Sequence, residues 1–338
     1  MAEVRLTPES PQPGMITSGR GVYLAMTDRF HHLDAWRTTP YDAVIVGGGP
    51  AGLSAALVLG RARKRVLVVD DHRPANAVSQ GVGGLLGHDR VKPADLRDSG
   101  QRQLQEHANV ELLHGAVEDA QRTRDGFVVK PTDGPPVRAH AIVLAHGLRY
   151  DPPPVPGIEA LWGRSVFHCA FCDGWEVRDR PLAFQGSGLG AVRSALVLAG
   201  WSNDVVLCTD GAPDPGGAVL AAAGVRVRTE PIARLAGNAG RLEQIELSHG
   251  PAERREALFV NTSRDQPNGL AAALGCELTA AGTIVTDADG RTNVAGVYAA
   301  GDAATAHSRS VANAIGTGSR VAYAVALERL APVVAAAA

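Results

Sequence analysis

Cysteine is scarce in this chain, with four residues in 338. That excludes a small disulfide-stapled scaffold and points to the cytosol, where thiols stay reduced unless they take part in redox chemistry. Long apolar runs are missing as well. The start has no apolar stretch followed by a cleavage site, and nowhere do the roughly 20 apolar residues of a membrane span follow one another. Charge of one sign is also lacking. The 33 basic and 35 acidic residues leave a formal net charge of −2, and their mixing along the chain argues against nucleic-acid and membrane partners. Residues 1–40 carry no hydrophobic period and read as a loose leader, in which Met15 and Met26 are further candidate starts. The alanine-rich tail, 331–338, carries no signal.

Glycine, by contrast, is plentiful at 39 residues, many of them at strand-to-helix turns. The length suits two packed α/β lobes. "YDAVIVGGGPAGLSAALVLGRARKRVLVVDD" predicts a buried parallel strand, a glycine turn, a helix with an Ala/Leu face, and a second strand. A polar helix is expected over Leu96–His107, then a small meander from "VELLHGAVEDA", "GFVVKP" and "VRAHAIVLAHG". "DPPPVPG", Asp151–Gly157, can continue neither helix nor sheet and marks a boundary. Beyond it, "RPLAFQGSGLGAVRSALVLAGWSNDVVLCTD" repeats the strand, turn, helix and strand. A second meander is expected from "VRVRTEPIARLAG", "RLEQIELSHG" and "EALFVNT", and then a strand, a Gly-Asp turn and a long last helix. The expected architecture is α/β, with two Rossmann-like dinucleotide-binding domains. The second, 154–280, is inserted in the first, 41–153 and 281–330.

The first turn, Gly47-x-Gly49-x-x-Gly52, has strand, helix and acid in register. Gly47 permits the tight turn, Gly49 lets the backbone approach a pyrophosphate, and Gly52 allows helix and strand to pack closely. The helix N-terminus offers free amides to the phosphates. Asp70, about 20 residues further on, can accept hydrogen bonds from ribose hydroxyls. "TNVAGVYAAGD", Thr292–Asp302, resembles the C-terminal flavin motif of flavoproteins with two dinucleotide-binding domains. That resemblance selects FAD and gives Asp302 the ribityl chain.

"FHCAFCDGWE" holds Cys169 and Cys172. Such a pair can grip a metal, form an inert staple, or cycle between dithiol and disulfide. Zinc as a rule needs four ligands, and Cys208 and Cys276 sit apart in apolar stretches as small core residues. The redox reading fits the surroundings, because C-x-x-C closes easily and the adjacent Asp173 can shuttle the proton that exchange requires. Asp173 can alternatively cap the following turn. Trp175 and Trp201 read as core residues rather than as an entrance. His72, His88, His146 and His307 read as loop or packing residues, with His146 a candidate for lining the flavin pocket.

CxxC followed by Asp-Gly, between a proline-rich boundary and a second glycine turn, resembles the low-molecular-weight thioredoxin reductase family. "GGGPAG", "CAFCDG", "GSGLGA", "AGD" and "SRSVANAIGTGSRVA" carry the likeness from Tyr41 to Leu330. It implies that Cys172 faces the flavin and that Cys169 attacks the substrate sulfur. It also implies flavin contacts at Pro50, Ala51, Asn76, Val117, Ala145, Gly147, Gly301, Arg309, Ser310 and Val311, and a homodimer. Ser310 stands where the family has Gln.

At the second turn, Gly186-x-Gly188-x-x-Ala191, the likeness departs from the reductases. Their His-Arg-Arg run for the NADPH 2′-phosphate falls here on Thr209, Asp210 and Gly211, and no Arg follows before Arg226. A carboxylate repels a phosphate, which argues against NADPH and leaves NADH open. "PANAVSQGVGGLLGHDRVKPADL", "WEVRDRPLA" and "ALVLAGWSNDVVL" resemble flavin-dependent dithiol oxidases, which close disulfides in natural products such as holomycin, gliotoxin and romidepsin. The branch implies a small-molecule dithiol substrate, O2 as acceptor and H2O2 as product. Asp173 stands where that branch usually has His, which keeps a second expectation, a nicotinamide-fed reductase of a thioredoxin-like partner. A flavin-bound sensor without turnover is the third.

Overall fold

The computed structural model describes residues 39–328 apart from Pro215, Ala306 and His307. Residues 1–38, His307 and the tail named above therefore lie outside the described residues.

Strand β1 (Tyr41–Val46) is apolar on both faces, and Ala43, Val44 and Ile45 are wholly buried. Such a strand is stable only with cover on each side. Helix α1 (Pro50–Arg61) supplies one layer after the glycine turn. Strand β2 (Val66–Asp70) pairs parallel with β1. Helix α2 begins at Pro93, where a missing amide costs nothing, and runs to Gln105. Strand β3 (Val110–His114) then pairs parallel with β2. "VELLH" thus extends the parallel sheet instead of opening the meander expected for it. Its half-exposed edge position explains the misleading alternation, and α2 is the crossover that allows parallel pairing. The antiparallel meander is β4 (Val117–Thr123), β5 (Gly126–Pro131) and β6 (Val137–Leu144). Strand β6 also lies parallel to β1.

Strand β7 (Arg149–Asp151) leaves this sheet, and β8 (Val166–Phe167) leads into the disulfide turn α3 (Ala170–Asp173). Strand β9 (Leu182–Gln185), helix α4 (Gly188–Leu198), β10 (Val205–Cys208), the short helix α5 (Gly217–Ala222) and β11 (Val225–Arg228) repeat the first plan. Three antiparallel strands follow, β12 (Ile232–Asn238), β13 (Arg241–Leu247) and β14 (Glu253–Arg254). Strand β15 (Ala257–Val260) completes a fully parallel sheet in the order β11-β10-β9-β15-β8. "VRVR" and "ALFV", expected in the second meander, are therefore parallel strands, and buried Ala257–Val260 is what such a position selects.

Strand β16 (Ser263–Asp265) returns antiparallel beside β7, so the chain leaves and re-enters the first lobe side by side. Leu270 and Ala271 of helix α6 (Leu270–Ala273), with Cys276 and Ile284, pack against Val44 and Val46 of the first sheet. Strand β17 (Val297–Ala299) adds to β6, and helix α7 (Val311–Glu328) crosses α1. The crossing is close, since a Cβ at Gly318 would meet the Ala51 carbonyl oxygen at 2.1 Å. Among the described residues no helix is long and apolar enough to cross a membrane.

Candidate active site

The first glycine turn forms an open cradle. Gly47 has φ +102°, and a Cβ there would lie 2.6 Å from the Ala145 carbonyl oxygen. A Cβ on Gly52 would lie 1.9 Å from the Gly47 oxygen, whereas nothing stands within 4 Å of one on Gly49. The backbone is thus packed behind and bare in front, at the start of α1 where amides lack partners. Pro50 opens that helix and Ala51 is buried in it. Asp70 is buried at the end of β2; its Oδ1 accepts from the His72 amide at 3.3 Å, and its Oδ2 has no hydrogen-bond partner, with His72 Nε2 3.9 Å away. An orphaned buried carboxylate oxygen is costly, and a ribose hydroxyl would satisfy it. A cavity of about 260 Å³ lies in front, bounded by Gly49, Pro50, His72, Asn76 and Arg97.

The other wall comes from distant parts of the chain. Gly147 has φ +67° with open space before it, and Gly301 has the same φ. His146 Nε2 lies 2.7 Å from Gln266 Oε1, while Nδ1 is buried without a partner. Burial lowers the His146 pKa, so the ring is held neutral at physiological pH. Arg309 Nε and Nη2 are likewise buried and unpartnered. Ser310 Oγ accepts from the Asn313 amide at 3.1 Å, so this hydroxyl caps α7, ahead of Val311. Val117 turns its side chain into the core beside Val44 and Phe127. The orphaned acceptor at Asp70, the bare Gly49 and the orphaned Arg309 donors suit FAD.

Cys169 and Cys172 are joined as a disulfide, with Cα atoms 5.3 Å apart. The amides of Cys172 and Asp173 both donate to the Cys169 carbonyl at 3.2 Å, which makes the single helical turn. His168, the preceding residue, stacks on Tyr150 with ring centroids 4.8 Å apart. The Tyr150 hydroxyl donates to Asp302 Oδ2 at 2.7 Å. One aromatic ring thus separates the flank of the disulfide from the carboxylate assigned to the flavin. Burial, then the charges of Arg264 and Arg309, push His168 down to about 4 and keep it neutral.

Asp173 makes no side-chain cap to the turn it precedes. Burial, then the nearby Glu176 carboxylate, raise its pKa to about 7, with Arg90 opposing. An acid near neutrality suits proton transfer in both directions. Phe171 is 79% exposed and meets Trp201 edge-on at 5.4 Å. Trp175 is 64% exposed, so it stands at the surface beside the disulfide and not in the core, where it was expected. Cys208 and Cys276 are buried free thiols, and burial raises Cys208 to about 12.

At the second turn Gly188 has φ +70°, and a Cβ on Gly188 or Gly190 would meet nothing within 4 Å. Asp210 Oδ1 accepts from the Ile232 amide at 2.7 Å, and Oδ2 accepts from Gln185 Nε2 at 2.8 Å. Thr209 Oγ1 donates to the Ala212 carbonyl. Where an arginine clamp would stand, a carboxylate and a hydroxyl tie strands together. Among the described residues no group of three or more His, Cys, Asp and Glu is placed to hold a metal ion.

Two strand–glycine turn–helix units with a disulfide turn between them define a flavoprotein-type disulfide oxidoreductase. The chain belongs to the pyridine nucleotide-disulphide oxidoreductase family, whose sequence pattern matches residues 41–318. Thioredoxin reductase tcpT of Claviceps purpurea is 31% identical over 82% of this chain and 90% of its own length. The crystal structure of HlmI matches at 36% identity with a TM-score of 0.82, covering 88% of this chain and 95% of that one. An oxidoreductase from Agrobacterium tumefaciens matches at 33% identity and a TM-score of 0.81, over 87% of this chain and all of that one. The thioredoxin reductase-like fold and the oxidoreductase class read from the sequence hold.

Sequence reasoning did not find Tyr150, Gln266, Arg90 or Glu176. Tyr150 stands just before the proline run and Glu176 just after the CxxC, so proximity to a motif was a usable signal for both. Gln266 had none.

Proposed function

We propose that this enzyme is a flavin-dependent dithiol oxidase that closes an intramolecular disulfide in a small-molecule natural product, with O2 as acceptor and H2O2 as product. The observation that carries the reading is the engaged Asp210 carboxylate, bonded to Gln185 and to the Ile232 amide where NADPH would need cationic groups. A site built that way favours electrons entering from the thiol side.

In this scheme a substrate thiolate attacks Cys169 Sγ, the Cys169–Cys172 bond breaks, and Cys172 leaves as a thiolate. The second substrate thiol gives its proton to Asp173. Its sulfur then attacks the substrate sulfur of the mixed disulfide and expels Cys169, which takes up a proton. The product gains one S–S bond and the protein gains two electrons. Bound flavin supplies the two-electron exchange between the protein dithiol and oxygen. Gly47, Gly49, Gly52 and Asp70 would hold its dinucleotide end, and Asp302 and Arg309 its ring end. The exposed Phe171 and Trp175 offer an apolar approach to the disulfide. The proposal includes a cytoplasmic homodimer.

A second reading, an NADH-fed disulfide reductase acting on a thioredoxin-like protein, draws on the open Gly188 and Gly190 and on the naming of relatives such as tcpT. Purified holoenzyme given dithiothreitol under air should consume oxygen without nicotinamide, and Cys169→Ser should not. Absence of uptake, with rapid anaerobic bleaching of the flavin band by NADH, would overturn the oxidase in favour of the reductase.

A further inference from the structure

Arg90 and Glu176 meet across two separate segments beside the disulfide. Arg90 lies in the loop after β2, and Glu176 in the 3-10 turn Gly174–Val177 after α3. Arg90 Nε stands 3.2 Å from Glu176 Oε1, while Glu176 Oε2 is buried without a partner. The loop is fixed there. The Arg90 amide donates to the Val82 carbonyl and the Val82 amide to the Val91 carbonyl, each at 2.8 Å. Gly83 in the same loop packs directly on the Cys172 carbonyl oxygen.

Arg90, Glu176 and Asp173 line one cavity of about 890 Å³. Neither cysteine lines it. The Asp173 carboxyl has no hydrogen bond or ion pair among the described residues, which leaves its ionisation to burial and to through-space charge. The far wall is largely neutralised within itself: Arg255 bridges Asp204 and Glu253, and Arg180 meets Glu256. Arg164 and, on β13 and β14, Arg241, Glu243 and Arg254 complete the charged lining. Glu176 and Arg90 are the charged groups that act on Asp173.

We propose that Glu176 and Arg90, paired across the cavity that Asp173 also lines, are positioning residues that set the proton affinity of Asp173 in opposite senses, Glu176 opposing its ionisation and Arg90 favouring it. The inference rests on the proposed function only in giving Asp173 the proton of a substrate thiol. In that step the S–H bond breaks, the sulfur keeps the electron pair for its attack, and the proton passes to the carboxylate and then to water in the cavity. Without Glu176 the carboxylate would hold a proton less tightly, and without Arg90 more tightly, so the pH at which it takes a proton from a thiol would move in opposite directions.

The test is the anaerobic reduction of the Cys169–Cys172 disulfide in holoenzyme by dithiothreitol, followed over a broad pH range by alkylation quench and mass spectrometry. Rates are divided by the dithiothreitol thiolate concentration. The wild-type profile should break near pH 7, and Asp173→Asn should remove the break. Glu176→Gln should move it down and Arg90→Met should move it up, each by roughly half a pH unit or more, while Arg90→Lys should restore it. An ion pair that only supports the fold would make both single variants slow the reaction alike, leaving the break unmoved or shifted in one direction. Either result, or a break that survives Asp173→Asn, overturns the proposal. Infrared titration of the carboxyl band in resting enzyme, wild type minus Asp173→Asn, reads the same affinity without turnover. If air oxidation of dithiols were absent, the oxidase reading would fail while this profile could still hold.

Discussion

Gly83 and Cys172 touch through their backbones: a Cβ on Gly83 would lie 2.3 Å from the Cys172 carbonyl oxygen. No side chain can be accommodated there without moving either the loop that carries Arg90 or the disulfide turn. Gly83→Ala should therefore cost on the order of 1–3 kcal/mol, as overpacking against backbone does. The expected signs are a lower thermal midpoint and a changed rate of disulfide reduction, with flavin content preserved because the Gly47–Gly52 turn is untouched. Unchanged values for both stability and rate would show that the contact is not maintained in solution.

Asp70 offers an oxygen to which no protein group donates a hydrogen bond, His72 Nε2 standing 3.9 Å away. If that oxygen meets a ribose hydroxyl, Asp70→Ala removes a hydrogen bond to a charged acceptor, worth about 1.5–3 kcal/mol. Flavin affinity should then fall by roughly 10- to 100-fold. The ratio of visible to ultraviolet absorbance after purification, and fluorescence on dilution, measure it. Asp70→Asn retains an acceptor and should fall between the two.

Asp210 sits at φ +53° with both carboxylate oxygens engaged. Asp210→Ala loses those bonds and keeps a backbone conformation that disfavours a Cβ, whereas Asp210→Gly loses the bonds but sheds the strain. Alanine should thus be the less stable of the two by about 1 kcal/mol, measured by urea unfolding of the two variants side by side. Equal stabilities would mean that the strain is relieved elsewhere.

What was legible in the sequence followed from how local each cause is. Gly47, Gly49, Gly52 and Asp70 lie within one strand–turn–helix–strand unit, so spacing alone showed that they come together. Cys169, Cys172 and Asp173 lie within five consecutive residues and suggested a redox turn in the same way. Strand β3 was misread because an edge strand alternates like a hairpin strand, and only the α2 crossover distinguishes them. Tyr150 and Asp302 stand 152 positions apart and meet only because β7 and the last glycine turn converge. The Arg90–Glu176 pair is equally non-local, and no spacing rule could join a loop of the first lobe to the turn after the disulfide.

Glu253 gives the clearest pH dependence of stability. It is 8% exposed, beside Arg255 at 3%. Burial alone would raise its pKa, but hydrogen bonds from Arg226, Arg255 and Arg228 outweigh that and hold the carboxyl down at about 2. An unfolded glutamate titrates near 4.5. The stabilisation is therefore complete above that pH and disappears as the pH falls toward about 2. The part at stake is about 3 kcal/mol. Glu253→Gln leaves the arginines facing a neutral amide and should destabilise the protein at neutral pH by on the order of 3 kcal/mol. Urea midpoints for the two proteins should converge as the pH is lowered from 6 toward 3, because the wild type loses there what the variant never had. Parallel curves, with a constant gap at every pH, would mean that the arginine cluster stabilises by packing and not by charge.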